Sequence, residues 1–138
     1  MDSPLSLEYR YEVAPADADA VREIVESTGF FNPAEVGIAV ELVEERLAKG
    51  LASGYYFVFA MSEGRVCGYS CYGPIAGTVH SHDLYWIAVH RNFQRHGLGA
   101  TLLAHTEQRI LHDGGHRIYV ETSSRDQYQP TRRFYQRH

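Results

Sequence analysis

Residues 87–99, which read IAVHRNFQRHGLG, constrain the fold of this chain more than any other stretch. Ile87, Ala88 and Val89 have the apolar character of a strand, and residues 94–99 form a polar loop with two glycines. An amphipathic helix is predicted next, because its buried face recurs at helical spacing: Leu102, Leu103, Thr106 and Ile110. The start of such a helix presents unpaired N–H groups and the positive end of its dipole. Because glycine lets an anion approach the backbone, the stretch predicts a phosphate-binding turn.

The N-terminal part predicts one strand and two helices. A half-buried strand is predicted because four apolar or aromatic residues alternate with charged ones: Leu7, Tyr9, Tyr11 and Val13. Pro15 and Asp17 open a helix that stops at Gly29, and its apolar stripe is Val21, Ile24, Val25 and Thr28. Residues 32–35, NPAE, have the form of an N-cap, a first-position proline and a reciprocal glutamate. The second helix then runs to Lys49 and Gly50 on a stripe of Val36, Val40, Val43 and Leu47.

Further strands are predicted over residues 55–61, 65–72, 83–89 and 116–122, with a loop at 75–82 and a last helix at 130–138. The resulting order is β-α-α-β-β-β-α-β-α, in which one helix joins two strands that can lie parallel. Most other neighbouring strands are joined as hairpins. We therefore expect an α/β (α+β) fold with a mixed, mostly antiparallel sheet flanked by helices, in a single domain over residues 1–138.

Charge and hydropathy argue against two function classes. The net charge of −4 disfavours a general nucleic-acid binder. No apolar run approaches membrane-spanning length, and no secretory signal is visible, so we expect no membrane partner. Cys67 and Cys71 lie on one predicted strand, roughly 13 Å apart and too far for a disulfide. Two buried thiols are the better interpretation, which favours a cytoplasmic location.

The spacing Gln94-x-x-Gly97-x-Gly99, after a strand ending in Ala-Val and before an amphipathic helix, resembles the acyl-CoA motif of the GNAT superfamily of N-acetyltransferases. The resemblance covers almost the whole chain and implies acetyl-CoA as co-substrate. It implies that the pyrophosphate is bound by Gln94, Arg95, His96, Gly97, Leu98, Gly99 and Ala100. It also implies that the pantetheine arm pairs with Ile87, Ala88 and Val89, where a backbone N–H polarises the thioester carbonyl.

The implied reaction is direct attack of a primary amine on the acetyl thioester. By the same resemblance Tyr135 is the acid for the leaving thiolate, although Tyr128 and Thr131 stand where the family often has asparagine and alanine. The resemblance also implies that Asp83, at the start of a strand where some family members carry a carboxylate, is the first candidate for the base. A strand period of two predicts that it shares a face with the side chains of Tyr85, Ile87 and Val89. The rival base is Glu121, with a relay through His82 and water.

Several alternatives stay open at this stage. The run His80-x-His82-Asp83 resembles part of a metal site, but position 84 is leucine, so we expect no metal. The chain stops two strands before the family fold does, which predicts a truncated product, or a partner such as a second copy covering the sheet edge. A non-catalytic acyl-CoA-binding or sensor domain is the alternative function. The acceptor, a small molecule or a protein, is not indicated by any residue.

Overall fold

The computed structural model describes residues 7–78 and 80–120, apart from the side chains of Arg95, His96, Tyr119 and Val120. Its helices and strands, in chain order, are β1 (Leu7–Arg10), α1 (Asp17–Ser27), α2 (Pro33–Lys49), β2 (Tyr56–Ser62), β3 (Arg65–Pro74), β4 (Ser81–Val89), α3 (Leu98–His112) and β5 (Arg117–Val120). Short 3₁₀ helices cover Gly50–Ser53 and Arg91–His96. The predicted last helix, residues 130–138, lies outside the described part.

The sheet follows chain order, β1-β2-β3-β4-β5. Its first three pairings are antiparallel, and β4 pairs with β5 in parallel, because α3 carries the chain back across one face of the sheet. This confirms the predicted mixed, mostly antiparallel sheet. None of the described helices is both long and apolar enough to span a membrane.

Local sequence explains how the first two helices begin. Asn32 Oδ1 accepts from the N–H of Glu35 at 2.8 Å, and Glu35 Oε1 accepts from the N–H of Asn32 at 2.9 Å, as the NPAE sequence predicts. At the start of α1, the buried carboxylate of Asp17 accepts from both Nη atoms of Arg10, at 2.7 and 2.8 Å. It also accepts from the N–H of Ala14 at 2.7 Å, so one side chain fixes the path from β1 into α1.

Two apolar layers cover the sheet. The layer under α3 contains Val58, Leu84, Val89, Leu98, Leu102, Leu103, Ile110 and Ile118. The layer under α1 and α2 contains Val21, Ile24, Val25, Val36, Ala39, Val43, Phe57, Phe59, Tyr69 and Ala88. Both cysteines are buried and reduced, as expected. Because β2 contributes to both layers, its continuous apolar run is explained by burial on two faces.

Several predicted boundaries are wrong by a few residues. β1 ends at Arg10 rather than Val13, and α1 ends at Ser27, one residue before Thr28. Leu47 is 38% exposed, because the layer covered by α2 ends at Val43. β3 includes Pro74, and β4 begins at Ser81 inside the predicted loop. In these cases cross-strand pairing or packing, rather than local sequence, sets the end of the element.

A bulge in β4 changes which residues share a face. Leu84 pairs with Tyr72 and Trp86 pairs with Cys71, so the register shifts there and Tyr85 is the extra residue of the bulge. The side chains of Tyr85 and Trp86 therefore both pack toward α1 and α2, whereas Leu84 and Ile87 pack toward α3. The prediction that Asp83 shares a face with Ile87 and Val89 is wrong. The inserted residue reverses the alternation, and Asp83, next to Leu84, lies on the α1–α2 face.

Candidate functional site

The edge of β4 that faces β5 supplies backbone donors. The described parallel pairing covers residues 81–84 of β4, whereas β3 pairs along β4 as far as Val89. The N–H of His90 donates to the carbonyl oxygen of Cys67 on β3 at 2.8 Å. Because backbone groups alternate in direction along a strand, the N–H groups of Ile87 and Val89 point away from β3. They face the edge that lies beyond the described part of β5.

The connection from β4 to α3 is more regular than predicted. Instead of an irregular loop over residues 94–99, a 3₁₀ helix spans Arg91–His96, and α3 already begins at Leu98. The first turn of the 3₁₀ helix is formed by the N–H of Phe93, which donates to the carbonyl oxygen of His90 at 2.8 Å. His90 Nδ1 accepts from the N–H of Asn92 at 3.1 Å. The connection is therefore held by its own hydrogen bonds before any ligand binds.

Two further bonds attach this connection to the rest of the fold. The side-chain amide of Gln94 donates from Nε2 to the carbonyl oxygen of Val89 at 3.1 Å, which ties the turn back onto the strand end. The N–H of Arg91 donates to Oγ of Ser27, the last residue of α1, at 3.0 Å. Since Gln94 uses the Val89 carbonyl, the N–H of Val89 is the backbone group of that residue that remains for the edge beyond the described part of β5.

The N-terminus of α3 fits an anion. Gly97, the N-cap residue, has φ 68° and ψ 16°, a left-handed conformation that favours glycine. No side chain of the described residues caps the helix, and its first turn contains no acidic residue. The N–H groups of Leu98, Gly99 and Ala100 lie in the first turn, where helix geometry provides no intrahelical acceptor. Together with the helix dipole, they supply the donors on which the predicted phosphate site depends, and phosphate binding there stays a prediction.

Aromatic side chains line the other face of β4 at the bulge. Trp86 contacts Phe31 of the α1–α2 loop, with ring centroids 5.1 Å apart. Tyr85 contacts Tyr55 edge to face, with centroids 5.5 Å apart. The indole N–H of Trp86 is buried without a hydrogen-bond partner among the described residues. Asp83 lies on this same face, so the bulge groups a carboxylate, an indole and the α1–α2 loop on the side of the sheet opposite α3.

The structure brings most of the predicted cofactor residues together. The end of β4, the 3₁₀ helix and the first turn of α3 contain Ile87, Ala88, Val89, Gln94, Gly97, Leu98, Gly99 and Ala100. Arg95 and His96 lie in the 3₁₀ helix, but their side chains are outside the described part. Glu121 and Tyr135 lie outside the described residues altogether, so their roles stay predictions. Within the described chain no group of three or more metal-ligating side chains occurs.

His82, the predicted relay, is buried under the α3–β5 turn. A Cβ on Gly115 would overlap the imidazole, which shows how closely that turn covers it. Burial lowers the pKa of His82, so the imidazole is neutral at pH 7. Its role as a relay stays a prediction.

Two features of the site were missed from the sequence. The bulge at Tyr85 has no local signature, since it depends on how β3 and β4 pair. The bond from Gln94 to Val89 could have been suspected from the loop motif, in which the glutamine has a fixed place before the glycines.

Comparison with known proteins places these features in a family. The model of the acetyltransferase (GNAT) family matches residues 19–138. A solved structure of a GNAT-family protein from Desulfovibrio desulfuricans is 48% identical, with a TM-score of 0.87 over 96% of this chain and 83% of that one. No curated protein matches the sequence significantly.

More distant structures share the fold. The PaiA N-acetyltransferase of Thermoplasma acidophilum, solved with coenzyme A, is 15% identical, with a TM-score of 0.69 over 96% of this chain and 88% of that one. A GNAT-family acetyltransferase of Brucella melitensis, solved with acetyl-CoA, is 19% identical, with a TM-score of 0.65 over 91% and 81% of the two chains. On the match of the family model and the 48% identical structure, the chain belongs to the GNAT acetyltransferase family.

Proposed function

We propose that this chain transfers the acetyl group of acetyl-CoA to a primary amine of a small-molecule or protein acceptor by direct attack. Membership of the family supports acetyl transfer from acetyl-CoA. The observation that carries the proposal is the arrangement at the end of β4. There, outward-facing N–H groups, the Gln94 bond and an uncapped helix N-terminus lie on one continuous path.

The donor half of the reaction is assigned to backbone groups. The first-turn N–H groups of α3 would hold the pyrophosphate, because they combine unpaired donors with the positive end of the helix dipole. The N–H groups of Ile87 and Val89 would pair with the amide-bearing arm of the cofactor. An N–H of this segment would also donate to the thioester oxygen as it gains negative charge.

The acceptor half is assigned to the α1–α2 face. The amine lone pair attacks the carbonyl carbon, the bond from carbon to sulfur breaks, and the amine loses one proton while the thiolate gains one. Asp83 is the proposed base, and its place on the same face as Trp86 and Phe31 suits a group that takes a proton from an amine approaching there. Tyr135 is the proposed donor of a proton to the thiolate, and Glu121 is the rival base.

The test is a substrate panel that measures thiol release from acetyl-CoA with polyamines, aminoglycosides, amino acids and peptides. Burial raises the pKa of both Cys67 and Cys71, so the protein's own thiols should add little background signal. We expect amine-dependent thiol release and a mass increase of one acetyl group on the acceptor. Tight CoA binding without turnover on any amine would instead support the non-catalytic acyl-CoA sensor.

Variants separate the two proposed roles. Tyr135→Phe should lower kcat with little change in CoA affinity. Asp83→Asn cannot accept a proton, so it should lower kcat at neutral pH and lose less activity at high pH, where solvent has already deprotonated the acceptor amine. Glu121→Gln is the matched carboxylate control. If Glu121→Gln abolishes turnover and Asp83→Asn does not, the base assignment passes to Glu121.

A further inference from the structure

A cavity lies at the opposite end of β4 from the proposed cofactor path. It has a volume of about 410 Å³, within the range of small-molecule sites, and is bounded by the C-terminal ends of α2 and α3 and by the adjoining ends of β2, β3 and β4. His82 lines it at the start of β4, seven residues and roughly 23 Å before Val89. Arg109 lines it on α3, eleven residues and roughly 17 Å from Leu98. The cavity therefore lies apart from the proposed cofactor path, although His82, the predicted relay, lines it.

Two arginines form the charged part of its wall. Arg46 donates from Nη1 to the carbonyl oxygen of Tyr55 at 2.6 Å, which leaves other guanidinium N–H groups unused by that bond. The guanidinium of Arg109 lies over the ring of Tyr11, 3.9 Å from its centroid. Its Nε is buried without a hydrogen-bond partner among the described residues. Because that Nε is itself out of reach, contact with a ligand falls to the terminal nitrogens of Arg109, whose side chain is half-buried.

The rest of the wall is aromatic, with one carboxylate. Tyr56, Phe57 and Tyr72 supply flat surfaces. Asp113 already accepts from the hydroxyl of Tyr72 at 3.2 Å. Burial and the neighbouring Asp113 raise the pKa of Tyr72, so that phenol stays a donor. With His82 neutral, the two arginines outweigh the single carboxylate, and the wall is net positive.

We propose that this cavity binds a small organic carboxylate with a planar apolar body. The carboxylate would accept from the terminal N–H groups of Arg109 and of Arg46, since a guanidinium is the side chain best matched to a carboxylate. The planar body would pack against the rings of Tyr56 and Tyr72. This site is independent of acetyl transfer, so it can exist whether or not the proposed function is correct.

Calorimetric titration of the chain with phenylacetate and with its uncharged amide, phenylacetamide, tests the proposal. We expect saturable one-to-one binding of phenylacetate, with phenylacetamide on the order of tenfold weaker because it lacks the charge-assisted bonds. Saturating CoA should leave phenylacetate binding unchanged. Equal affinities for the acid and the amide, absence of saturable binding, or competition by CoA would each overturn the proposal.

Three variants locate the bound molecule. Arg109→Met and Arg46→Met should each weaken phenylacetate binding about tenfold, while Arg22→Met, an exposed arginine on α1, should not change it. Asp113→Asn should tighten binding severalfold, since it removes a negative charge but can still accept from Tyr72. If Arg109→Met fails to fold, weaker phenylacetate binding by Arg46→Met together with tighter binding by Asp113→Asn still locates the bound molecule in this cavity. Unchanged or weaker binding by the Asp113 variant would count against the site.

Discussion

The bond from Gln94 to Val89 gives the sharpest test of how the turn works. Gln94 Nε2 donates to the Val89 carbonyl oxygen at 3.1 Å across the junction of β4 and the 3₁₀ helix. A neutral hydrogen bond of this kind contributes about 1 kcal/mol. For a chain of this size, losing it should lower Tm by about 3–5 °C. Replacement by methionine, which has similar length but no donor, should show this loss and weaken CoA binding about two- to fivefold.

Glutamate and arginine at the same position separate geometry from charge. Gln94→Glu keeps the shape, loses the donor and adds a negative charge beside the proposed pyrophosphate site, so CoA binding should fall about tenfold or more. Gln94→Arg keeps N–H donors at this position and adds no negative charge. The Tm should therefore stay close to that of the parent chain, and the affinity for CoA should stay within about twofold of it.

Thermal denaturation and calorimetric titration with CoA measure both quantities on the same samples. The order expected for CoA affinity is parent and arginine first, then methionine, then glutamate. If the methionine variant matches the parent in Tm and in CoA affinity, the bond does not position the turn. If glutamate binds CoA as well as methionine does, the negative charge of the ligand is not held near this residue, and the anion-site interpretation fails.

Three further predictions concern stability. Gly97→Ala should lower Tm by about 3–5 °C, because alanine adopts a positive φ at a cost of about 1 kcal/mol, and a melting curve that matches the parent would contradict the left-handed cap. Asp17→Ala should lower the free energy of unfolding in urea by about 2–4 kcal/mol, whereas the exposed first-turn Asp19→Ala should have little effect. Burial, and for His105 also Arg109, lowers the pKa of His82 and His105. The contribution of the two neutral histidines to stability is therefore present above their unfolded pKa of about 6.5 and is lost as the pH falls through their lower folded pKa values. The Tm should fall on acidification, and His105→Gln should reduce that fall.

Sequence patterns predicted the elements whose causes are local. The start of α2 is an example, because the bonds between Asn32 and Glu35 join residues three apart and depend on little else. The buried face of α3 was predicted for the same reason, since helical spacing alone brings Leu102, Thr106 and Ile110 to one side. The turn before α3 could be found because its glycines precede that helix directly, and its role in binding phosphate stays a prediction.

Features that depend on two distant segments were not predictable. The bulge at Tyr85 follows from the pairing of β3 with β4, and no pattern within either strand signals it. Gly73 is similar, because a Cβ there would overlap the carbonyl oxygen of Gly54, a residue on another segment. The roles of Tyr135 and Glu121 rest on the resemblance alone.

The bulge also alters the mechanistic hypothesis. With strict alternation, Asp83 would face α3 together with Ile87 and Val89, on the side of the sheet that carries the proposed phosphate site. The inserted Tyr85 instead places Asp83 on the face of Trp86 and the α1–α2 loop. A base there lies on the side of the sheet where the acceptor amine is proposed to approach, rather than on the side of the proposed phosphate site. A general base must lie within reach of the amine whose proton it takes. The change of face therefore favours the base role of Asp83, and the paired Asp83→Asn and Glu121→Gln measurements are the experiment on which it depends.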